Sequence, residues 1–323
     1  MMFNLNLNCK VLTEDEIRCL LPSIDLLPLI EKAFTLYSNS QVQLPPVTEL
    51  NFEKPPGDVH IKCASVEEMP YYVVKIASGF YENPGKGISS SQGLMLLFDS
   101  ETGCARAVLL DNGYLTDIRT GLAGAVCAKY LAPKNITQIG IAGAGIQAQM
   151  QLKYLKTVTE CRKVSVWARS ETGLKKFLDK ADHEYWDITP TVDLQELAEN
   201  CNLIVTTTPS REPLLRKEWI KPGTHITAVG SDTPHKIELD PALVAHSDLV
   251  VVDSIEQCKF RGELYQMYQH HLSPKNEVVE LGKIITDKTL GRKNDTQITI
   301  ADLTGIATQD LMIAQGVYEA YLK

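Results

Sequence analysis

One short glycine-rich stretch, GAGIQA at positions 143–148, constrains the fold of this chain more than any other part of its sequence. It follows the apolar run TQIGIAG, which is typical of a buried strand, and it opens a helical pattern. The first glycine permits a tight turn, the second lets a pyrophosphate approach the backbone, and the alanine still allows close helix packing. The N-terminus of the following helix offers N–H groups and a favourable dipole. We therefore assign binding of a dinucleotide to Gly143, Gly145, Ile146, Gln147 and Ala148.

The chain around this turn alternates strand-like and helical segments. After TQIGIAG come the short apolar runs KVSVWAR, NLIVTTT, THITAVG and LVVVDS, with helical segments such as LQELAENC between them. Mostly apolar runs of this length suit a parallel sheet that is covered by helices on both faces. The pattern predicts an α/β fold in which residues 123–302 form a Rossmann-type, doubly wound parallel sheet that binds the dinucleotide.

The first part of the chain has a different pattern. TEDEIRCLL begins with a capping box, Thr13 with Glu16, and a second helical segment tolerates Pro28 near its first turn. Four β-rich runs follow at short spacing, VHIKCASV, YYVVKIASGF, GLMLLFDS and CARAVLLDN, and they predict an antiparallel meander. We expect residues 1–122 to form an α+β domain with an antiparallel sheet. The tail, ATQDLMIAQGVYEAYLK, reads as an amphipathic helix, and we expect residues 303–323 to return to this domain.

Composition and charge argue against several classes of function. The 323 residues carry a net charge of −8 without a basic stripe, so we expect no nucleic-acid partner. No run is long enough to span a membrane, and the opening MMFNLNLNCK lacks the apolar core of a signal peptide. The eight cysteines form no CxxC pair, so we expect neither a metal site nor a disulfide framework. We expect a cytoplasmic protein with reduced thiols.

The end of the second strand in the dinucleotide domain, VWARS, bears on the choice of cofactor. An Asp or Glu there would bind the ribose 2′-hydroxyl of NAD, but this chain has Arg169 and Ser170. A guanidinium and a hydroxyl suit a 2′-phosphate, so we favour NADP over NAD. The alternative interpretation is a solvated surface arginine in a protein that accepts either cofactor.

Two further strand ends of this domain carry residues at the edge where open α/β sheets bind their ligands. We assign cofactor contacts there to Thr206, Thr207, Thr208, Val229 and Gly230. A plain strand-to-turn exit is the alternative for the threonines. Asp232, in AVGSDTPHK, follows the second of these strands. It is either an acid/base that acts on a substrate or a turn residue. The second interpretation rests on the sequence Ser-Asp-Thr-Pro, whose residues are typical of turns.

Several stretches resemble a known family. LLDNGYLTDIRTGLAGAVCAKYLA, GIAGAGIQAQMQL and VGSDTPHKIELD, in this order and spacing, resemble the ornithine cyclodeaminase/mu-crystallin family over nearly the whole chain. KIASGFYENPGKG, LLDNGYLTD, VTTTP and DLTGIATQD are most similar to its ectoine-utilisation branch, which also resembles iminosuccinate reductase. The resemblance implies that the two end segments form a substrate-binding and dimerisation domain, that the middle is a Rossmann domain, and that the protein is a homodimer.

The resemblance also implies roles for single residues. Lys75 in VVKIASGF matches the family's active-site lysine, Arg119 in DIRTG its substrate-carboxylate arginine, and Asp232 its catalytic aspartate. Each has a plainer interpretation as well. Lys75 would be an edge-strand charge, and Arg119 would be a surface partner of Asp117 or Asp111.

One departure from the family concerns the substrate. Many members carry a further carboxylate-binding arginine soon after a Pro-Pro pair, where LPPVTEL here has Val47 and Thr48. The alternative cation for substrate binding is Lys62, in VHIKCA, on a strand next to that of Lys75. This difference suggests a substrate other than ornithine.

The resemblance implies an NAD(P)-dependent imine reductase or amino-acid dehydrogenase that acts on a small 2-imino or 2-amino acid, iminosuccinate-like substrates included. Arg119 would bind the carboxylate, Lys75 would polarise or protonate the nascent group, and Asp232 would act as acid/base on the nitrogen or its attacking water. An ornithine-type cyclodeaminase, which turns over no net cofactor, would use the same residues. A mu-crystallin-like protein that binds a ligand without catalysing a reaction is the third alternative. The presence of Lys75, Arg119 and Asp232 argues against it.

Overall fold

The computed structural model describes residues 9–80 and 82–323, and the chain divides into two units. Unit 1 comprises Met1–Arg119 and Ile306–Lys323, and unit 2 comprises Thr120–Gly305. The domain boundaries expected from the sequence, 122 and 303, each lie three residues inside unit 2. The opening residues of the expected first domain, up to residue 8, lie outside the described residues.

The described part of unit 1 opens with a short strand and two helices, and a series of closely spaced strands follows. Its elements are β1 (Lys10–Thr13), α1 (Glu14–Leu20), α2 (Leu26–Ser38), β2 (Val42–Gln43), β3 (Thr48–Glu53), β4 (Pro56–Val66), β5 (Tyr71–Phe80), β6 (Ser91–Asp99) and β7 (Ala105–Leu110). The predicted capping box is present at the start of α1, where the Thr13 N–H donates to Glu16 Oε2 at 2.8 Å and the Glu16 N–H donates to Thr13 Oγ1 at 3.4 Å. Pro28 lies in the first turn of α2, as expected.

The strands of unit 1 form one mixed sheet. Within the described residues it has seven strands, in the order β1-β7-β6-β5-β4-β2, and β3 also pairs with β4. The predicted antiparallel meander is confirmed for β4 to β7. The sheet is not purely antiparallel, because β1 pairs with β7 in parallel. β1 has only four residues, KVLT, which is too short for an alternating pattern to identify it in advance.

The middle of the chain alternates strands and helices. Its elements are α3 (Tyr114–Leu131), β8 (Ile139–Ala142), α4 (Ile146–Leu155), β9 (Lys163–Trp167), α5 (Glu171–Leu178), β10 (Asp187–Thr191), α6 (Leu194–Asn200), β11 (Leu203–Thr206), β12 (His225–Ala228), α7 (Pro241–His246), β13 (Leu249–Val252), α8 (Gly262–Gln269), β14 (Val279–Glu280), α9 (Leu281–Thr286) and β15 (Thr299–Asp302). The last helix of the chain, α10 (Ala307–Leu322), belongs to unit 1.

The sheet of unit 2 is the predicted doubly wound parallel sheet. Its strand order in the described chain is β10-β9-β8-β11-β12-β15-β13-β14, and the paired strands run parallel. β8, β11, β12 and β15 are buried along their whole length, which is why most of them appear in the sequence as short apolar runs. The order reverses between β8 and β11, and ligands of such sheets bind at the carboxyl ends of the strands near this point.

The C-terminal helix α10 differs from its sequence interpretation. All residues from Ala307 to Ala314 are buried, polar ones included, so this half of the helix is not amphipathic. The reason is that α10 packs against α2 and against β4, β5 and β6. None of the helices in residues 9–80 and 82–323 is long and apolar enough to cross a membrane.

Candidate functional site

The turn between β8 and α4 has the shape that a pyrophosphate requires. Gly143 has φ 132°, which favours glycine, and a Cβ there would collide with Thr207 Oγ1. A Cβ built on Gly145 would meet no atom within 4 Å, so the backbone at this residue borders open space. Ala148 is fully buried, as close packing of the helix requires.

Helix α4 begins directly after this turn. Gly145 is its N-cap and supplies no side-chain hydrogen bond to the first turn. The N–H groups at the start of a helix lack intrahelical partners, and with the helix dipole they attract phosphate. The N–H groups of Ile146 and Gln147 begin this first turn, and the Ile146 side chain is 40% exposed. The residues of the turn therefore fit a dinucleotide.

Arg169 and Ser170 lie between β9 and α5, and both are exposed. Ser170 is the N-cap of α5, and its Oγ accepts a hydrogen bond from the Gly173 N–H at 3.2 Å. Because the Ser170 oxygen is the acceptor in this bond, its hydroxyl hydrogen can still be donated to a ligand. Glu171 follows in the first turn of α5 and adds a carboxylate to the same short segment.

The ends of β11 and β12 are joined by Glu238, a residue that the sequence did not single out. Its Oε2 accepts hydrogen bonds from Thr206 Oγ1 at 2.6 Å and from the Gly230 N–H at 2.8 Å. Its Oε1 accepts from the N–H and the Oγ1 of Thr208 at 2.6 and 2.8 Å. Burial raises the pKa of Glu238, while these donors act in the opposite direction. Val229 is buried, and its N–H donates to the Thr206 carbonyl at 3.0 Å.

Asp232 lies in the turn after β12, and its side chain is 45% exposed. Its Oδ1 forms an ion pair with Lys236 Nζ at 2.7 Å, and its carbonyl oxygen accepts from Arg261 Nη1 at 3.3 Å. Within the same turn, Ser231 Oγ donates to the Lys236 carbonyl at 2.8 Å. A side chain other than Asp232 thus helps to close the turn, which leaves the acid/base interpretation of Asp232 standing.

Lys75, Arg119 and Asp310 form a buried cluster in unit 1. Lys75 Nζ lies 2.8 Å from Asp310 Oδ2, and Arg119 Nε lies 3.1 Å from Asp310 Oδ1. Arg119 Nη1 also donates to Gln309 Oε1 at 3.4 Å. The three residues come from β5, α3 and α10, and none of their side chains is more than 9% exposed.

Lys62 adds a third cation to this cluster. It lies directly opposite Lys75 on β4, and opposite residues of an antiparallel pair project to the same face of the sheet. β5 lies between β4 and β6, so the interpretation of Lys75 as an edge-strand charge is wrong. The interpretation of Arg119 as a surface residue is wrong as well, because the arginine is buried and paired with Asp310.

The surroundings of the cluster shift the pKa of its titratable groups. Burial and the charge of Arg119 lower the pKa of Lys75 to about 8, although Asp310 raises it in part. Burial acts to raise the pKa of Asp310, but the charges of Lys75 and Arg119 outweigh burial and lower it. Burial raises the pKa of nearby Asp111 to about 6. A lysine that titrates near neutral pH can exchange a proton during a reaction.

Asp310 is the member of this cluster that the sequence analysis missed. It lies in DLTGIATQD, one of the stretches that carry the family resemblance. The apolar run LMIA that follows this acidic residue was a signal of a buried carboxylate. Only the position of α10 against β5 shows that Asp310 meets Lys75.

The chain belongs to the ornithine cyclodeaminase/mu-crystallin family, whose sequence profile matches residues 8–323. Among its relatives, the alanine dehydrogenase of Archaeoglobus fulgidus is 38% identical over 310 residues, which cover 96% of this chain and 94% of the relative. The family resemblance that the sequence motifs carried is therefore confirmed.

Solved structures of this family share the whole fold. The Δ¹-pyrroline-2-carboxylate reductase of Thermococcus litoralis, in complex with NADH and L-proline, superimposes with a TM-score of 0.90 at 29% identity over 97% of both chains. The iminosuccinate reductase of Paracoccus denitrificans, in complex with NAD⁺, has a TM-score of 0.86 at 31% identity over 97% of this chain and 96% of the other. An archaeal alanine dehydrogenase dimer with bound NAD has a TM-score of 0.88 at 36% identity over 97% of this chain and 96% of the other.

Proposed function

We propose that this protein is an NAD(P)-dependent oxidoreductase that reduces the C=N bond of a small 2-imino acid, or oxidises the matching 2-amino acid. The observation that carries the proposal is the buried ion-paired cluster of Lys75, Arg119 and Asp310 in a chain that also has the glycine turn of a dinucleotide site. When bound, the dinucleotide supplies or accepts a hydride at the substrate's α-carbon.

Arg119 is the proposed ligand of the substrate carboxylate. It contacts Asp310 through Nε, and the edge formed by its two Nη atoms has the geometry for a two-point contact with a carboxylate. Asp310 holds the guanidinium in place and offsets part of the positive charge. Because the three cations Lys62, Lys75 and Arg119 outnumber the two carboxyl groups of Asp310 and Asp111, the cluster favours an anionic substrate.

Lys75 and Asp232 are the proposed proton-transfer groups. With a pKa near 8, Lys75 is mostly protonated at neutral pH and can donate a proton as the imine is reduced. Asp232 exchanges a proton with the substrate nitrogen or with a water molecule, and Lys236 orients its carboxylate at 2.7 Å. In this proposal Asp310 touches neither substrate nor dinucleotide, so it is a positioning residue.

Lys62 makes a dicarboxylic substrate the first one to test. It is buried opposite Lys75 and faces the same side of the sheet. A second cation beside Arg119 suits a second carboxylate, which iminosuccinate has and 2-iminopropanoate lacks. The iminosuccinate reductase of Paracoccus denitrificans is among the related structures.

A nicotinamide absorbance screen tests the proposed function. The protein is mixed with NADH or NADPH and a set of 2-oxo acids that includes oxaloacetate and pyruvate, each with ammonia or methylamine. We expect oxidation of the dinucleotide only when both the oxo acid and the amine are present. Ornithine is assayed separately for ammonia release. Ammonia release from ornithine without oxidation of the dinucleotide would replace this proposal with a cyclodeaminase, and binding without any turnover would replace it with a ligand-binding protein.

We also propose that Arg169 and Ser170 favour NADP over NAD. The support is an exposed guanidinium and a hydroxyl where a carboxylate would bind the ribose of NAD. Arg169→Asp should shift the ratio of Kd values toward NADH, since a carboxylate accepts from the ribose hydroxyls and repels a 2′-phosphate. Titration of wild type and variant with both reduced dinucleotides measures this ratio. Arg162→Asp, an exposed change at the other end of β9, serves as the control. Tighter binding of NADH by the wild type would contradict the preference.

A homodimer formed through the sheet of unit 1 is the proposed assembly. β3 exposes two apolar side chains two residues apart, Leu50 at 52% and Phe52 at 42%, and the related archaeal alanine dehydrogenase is a dimer. Sedimentation of the wild type should show a dimer at micromolar concentration, and the double variant Leu50→Glu, Phe52→Glu should shift it toward monomer. A wild type that sediments as a stable monomer would contradict the assembly.

A further inference from the structure

Glu238 ties together two neighbouring strand ends at the edge where the dinucleotide is proposed to bind. Each of its carboxyl oxygens accepts one backbone N–H, Oε1 from Thr208 at 2.6 Å and Oε2 from Gly230 at 2.8 Å. The hydroxyls of Thr206 and Thr208 complete the set at 2.6 and 2.8 Å. Because Thr206 ends β11 and Gly230 follows β12, one side chain holds both strand ends.

The strand ends at this junction approach each other closely. A Cβ on Gly230 would collide with the backbone of Thr208 and would lie 2.8 Å from Glu238 Cδ. A Cβ on Gly143 would collide with Thr207 Oγ1 and would lie 3.3 Å from Thr208 Cγ2. The segment that Glu238 holds therefore borders the first glycine of the dinucleotide turn.

Glu238 is itself held by a second buried carboxyl group. Its N–H donates to Glu263 Oε1 at 2.8 Å, and the Leu239 N–H donates to Glu263 Oε2 at 3.1 Å. Glu238 is 0% and Glu263 is 1% exposed. Burying a carboxyl group costs free energy that a full set of hydrogen bonds offsets. Glu238 has such a set, and all its members lie at the two strand ends.

We propose that Glu238 is a positioning residue for the nicotinamide half of the dinucleotide. In a doubly wound sheet the dinucleotide spans the point where the strand order reverses. Its adenosine lies toward the second strand, here β9, and its other half lies toward β11 and β12. Glu238 acts on that second half by holding the two strand ends together, and it does so without contacting the ligand. The inference rests on the proposed function, because it requires that a dinucleotide binds.

Glu238→Gln separates this role from a general structural one. The amide keeps the size of the side chain but has one acceptor oxygen, and in either orientation its NH₂ group faces a backbone N–H, that of Thr208 or of Gly230. We expect the Kd for NADH to rise about tenfold, because ligand binding must then bring the two released strand ends back into position. The Kd for ADP-ribose, which lacks nicotinamide, should change less than about twofold, because the glycine turn and β9 bind it. Calorimetric titration of the full chain measures both constants, with NADPH and 2′-phospho-ADP-ribose as the pair if the wild type prefers them.

Asp253→Asn is a matched control. Asp253 is a buried carboxylate after β13, and it accepts from Thr304 Oγ1 at 2.9 Å and from the Gly305 N–H at 2.5 Å. Replacement of this carboxylate by an amide should lower the Tm and leave the ratio of the Kd values for NADH and ADP-ribose unchanged. Thr206 is fully buried and its hydroxyl donates to Glu238, so Thr206→Val removes one donor from Glu238 with little change of volume. It should shift the ratio in the same direction as Glu238→Gln by a smaller factor.

The inference is upheld if NADH binding weakens more than ADP-ribose binding in both Glu238→Gln and Thr206→Val. It is overturned if the two ligands weaken by the same factor, if neither changes, or if Asp253→Asn shifts the ratio equally. Should Glu238→Gln fail to fold, an unchanged ratio in Thr206→Val overturns it. Wild type that binds neither ligand would overturn the proposed function and this inference with it, which distinguishes that failure from the others.

Discussion

Lys75→Met is expected to lower kcat by about 10²–10⁴-fold, the usual contribution of a general acid or base. Methionine matches the length of the buried lysine but cannot donate a proton to the substrate. Asp310 would still be paired with Arg119 Nε at 3.1 Å, so the variant leaves no isolated buried charge. Steady-state assays of imine reduction measure kcat, and calorimetry with the reduced dinucleotide should give an unchanged Kd.

The matched control for this variant is Lys62→Met on the neighbouring strand. Lys62 lies directly opposite Lys75, so the two variants remove the same charge from adjacent positions. Lys62→Met should mainly raise KM, because its proposed role is to bind a carboxylate rather than to move a proton. A Lys75→Met variant that keeps more than about a tenth of the wild-type kcat would contradict the proton-transfer role.

The pH dependence gives Lys75 a signature that a structural residue would not have. If protonated Lys75 is required, kcat/KM for reduction should fall as the pH rises through about 8, where this lysine loses its proton. Asp310 raises the pKa of Lys75, so Asp310→Asn should move this fall to lower pH by about one unit or more. A fall that stays at the same pH in Asp310→Asn would mean that another group titrates.

The second large effect is expected for Asp232→Asn, which should lower kcat by about two orders of magnitude or more. The amide keeps a carbonyl oxygen that can accept from Lys236 Nζ, the partner at 2.7 Å, but it cannot exchange a proton. The side chain is 45% exposed, and exposed ion pairs contribute little stability, so Tm should hardly change.

Arg119→Lys should instead mainly raise KM, since it replaces a bidentate donor with a point charge.

These two variants are compared in one steady-state experiment with dinucleotide affinity as the control. If Asp232→Asn keeps more than about half of the wild-type kcat, the Asp232 carboxylate only helps to form the turn and takes no part in proton transfer. A large fall in Tm would also count against the proposal, because it would show that the carboxylate supports the turn itself.

Features encoded by neighbouring residues could be predicted from the sequence. GAGIQA specifies its own tight turn and the start of α4, and the structure shows why Gly143 must be glycine. The meander followed from strand runs separated by short turns, and it brought Lys62 and Lys75 to adjacent strands. Each of these features depends on contacts within a few residues or between neighbouring strands.

Features that depend on distant contacts could not be predicted in this way. Asp310 becomes a partner of Lys75 and Arg119 only because α10 packs against the sheet of unit 1. Glu238, in KIELD, looks like a solvated acid, but the fold turns it inward to four donors at two strand ends. Short strands such as β1 and β14 carry too few residues to show a period, and their pairing alone defines them.

Isotope transfer tests the central claim most directly. The protein is incubated with oxaloacetate, ammonia and a reduced dinucleotide that carries deuterium at both C4 positions of the nicotinamide, and the amino-acid product is analysed by mass spectrometry. The account predicts aspartate with one deuterium at the α-carbon, formed in equal amount to the oxidised dinucleotide. Aspartate without deuterium, or oxidation of the dinucleotide without an amino-acid product from any 2-oxo acid in the screen, would contradict it.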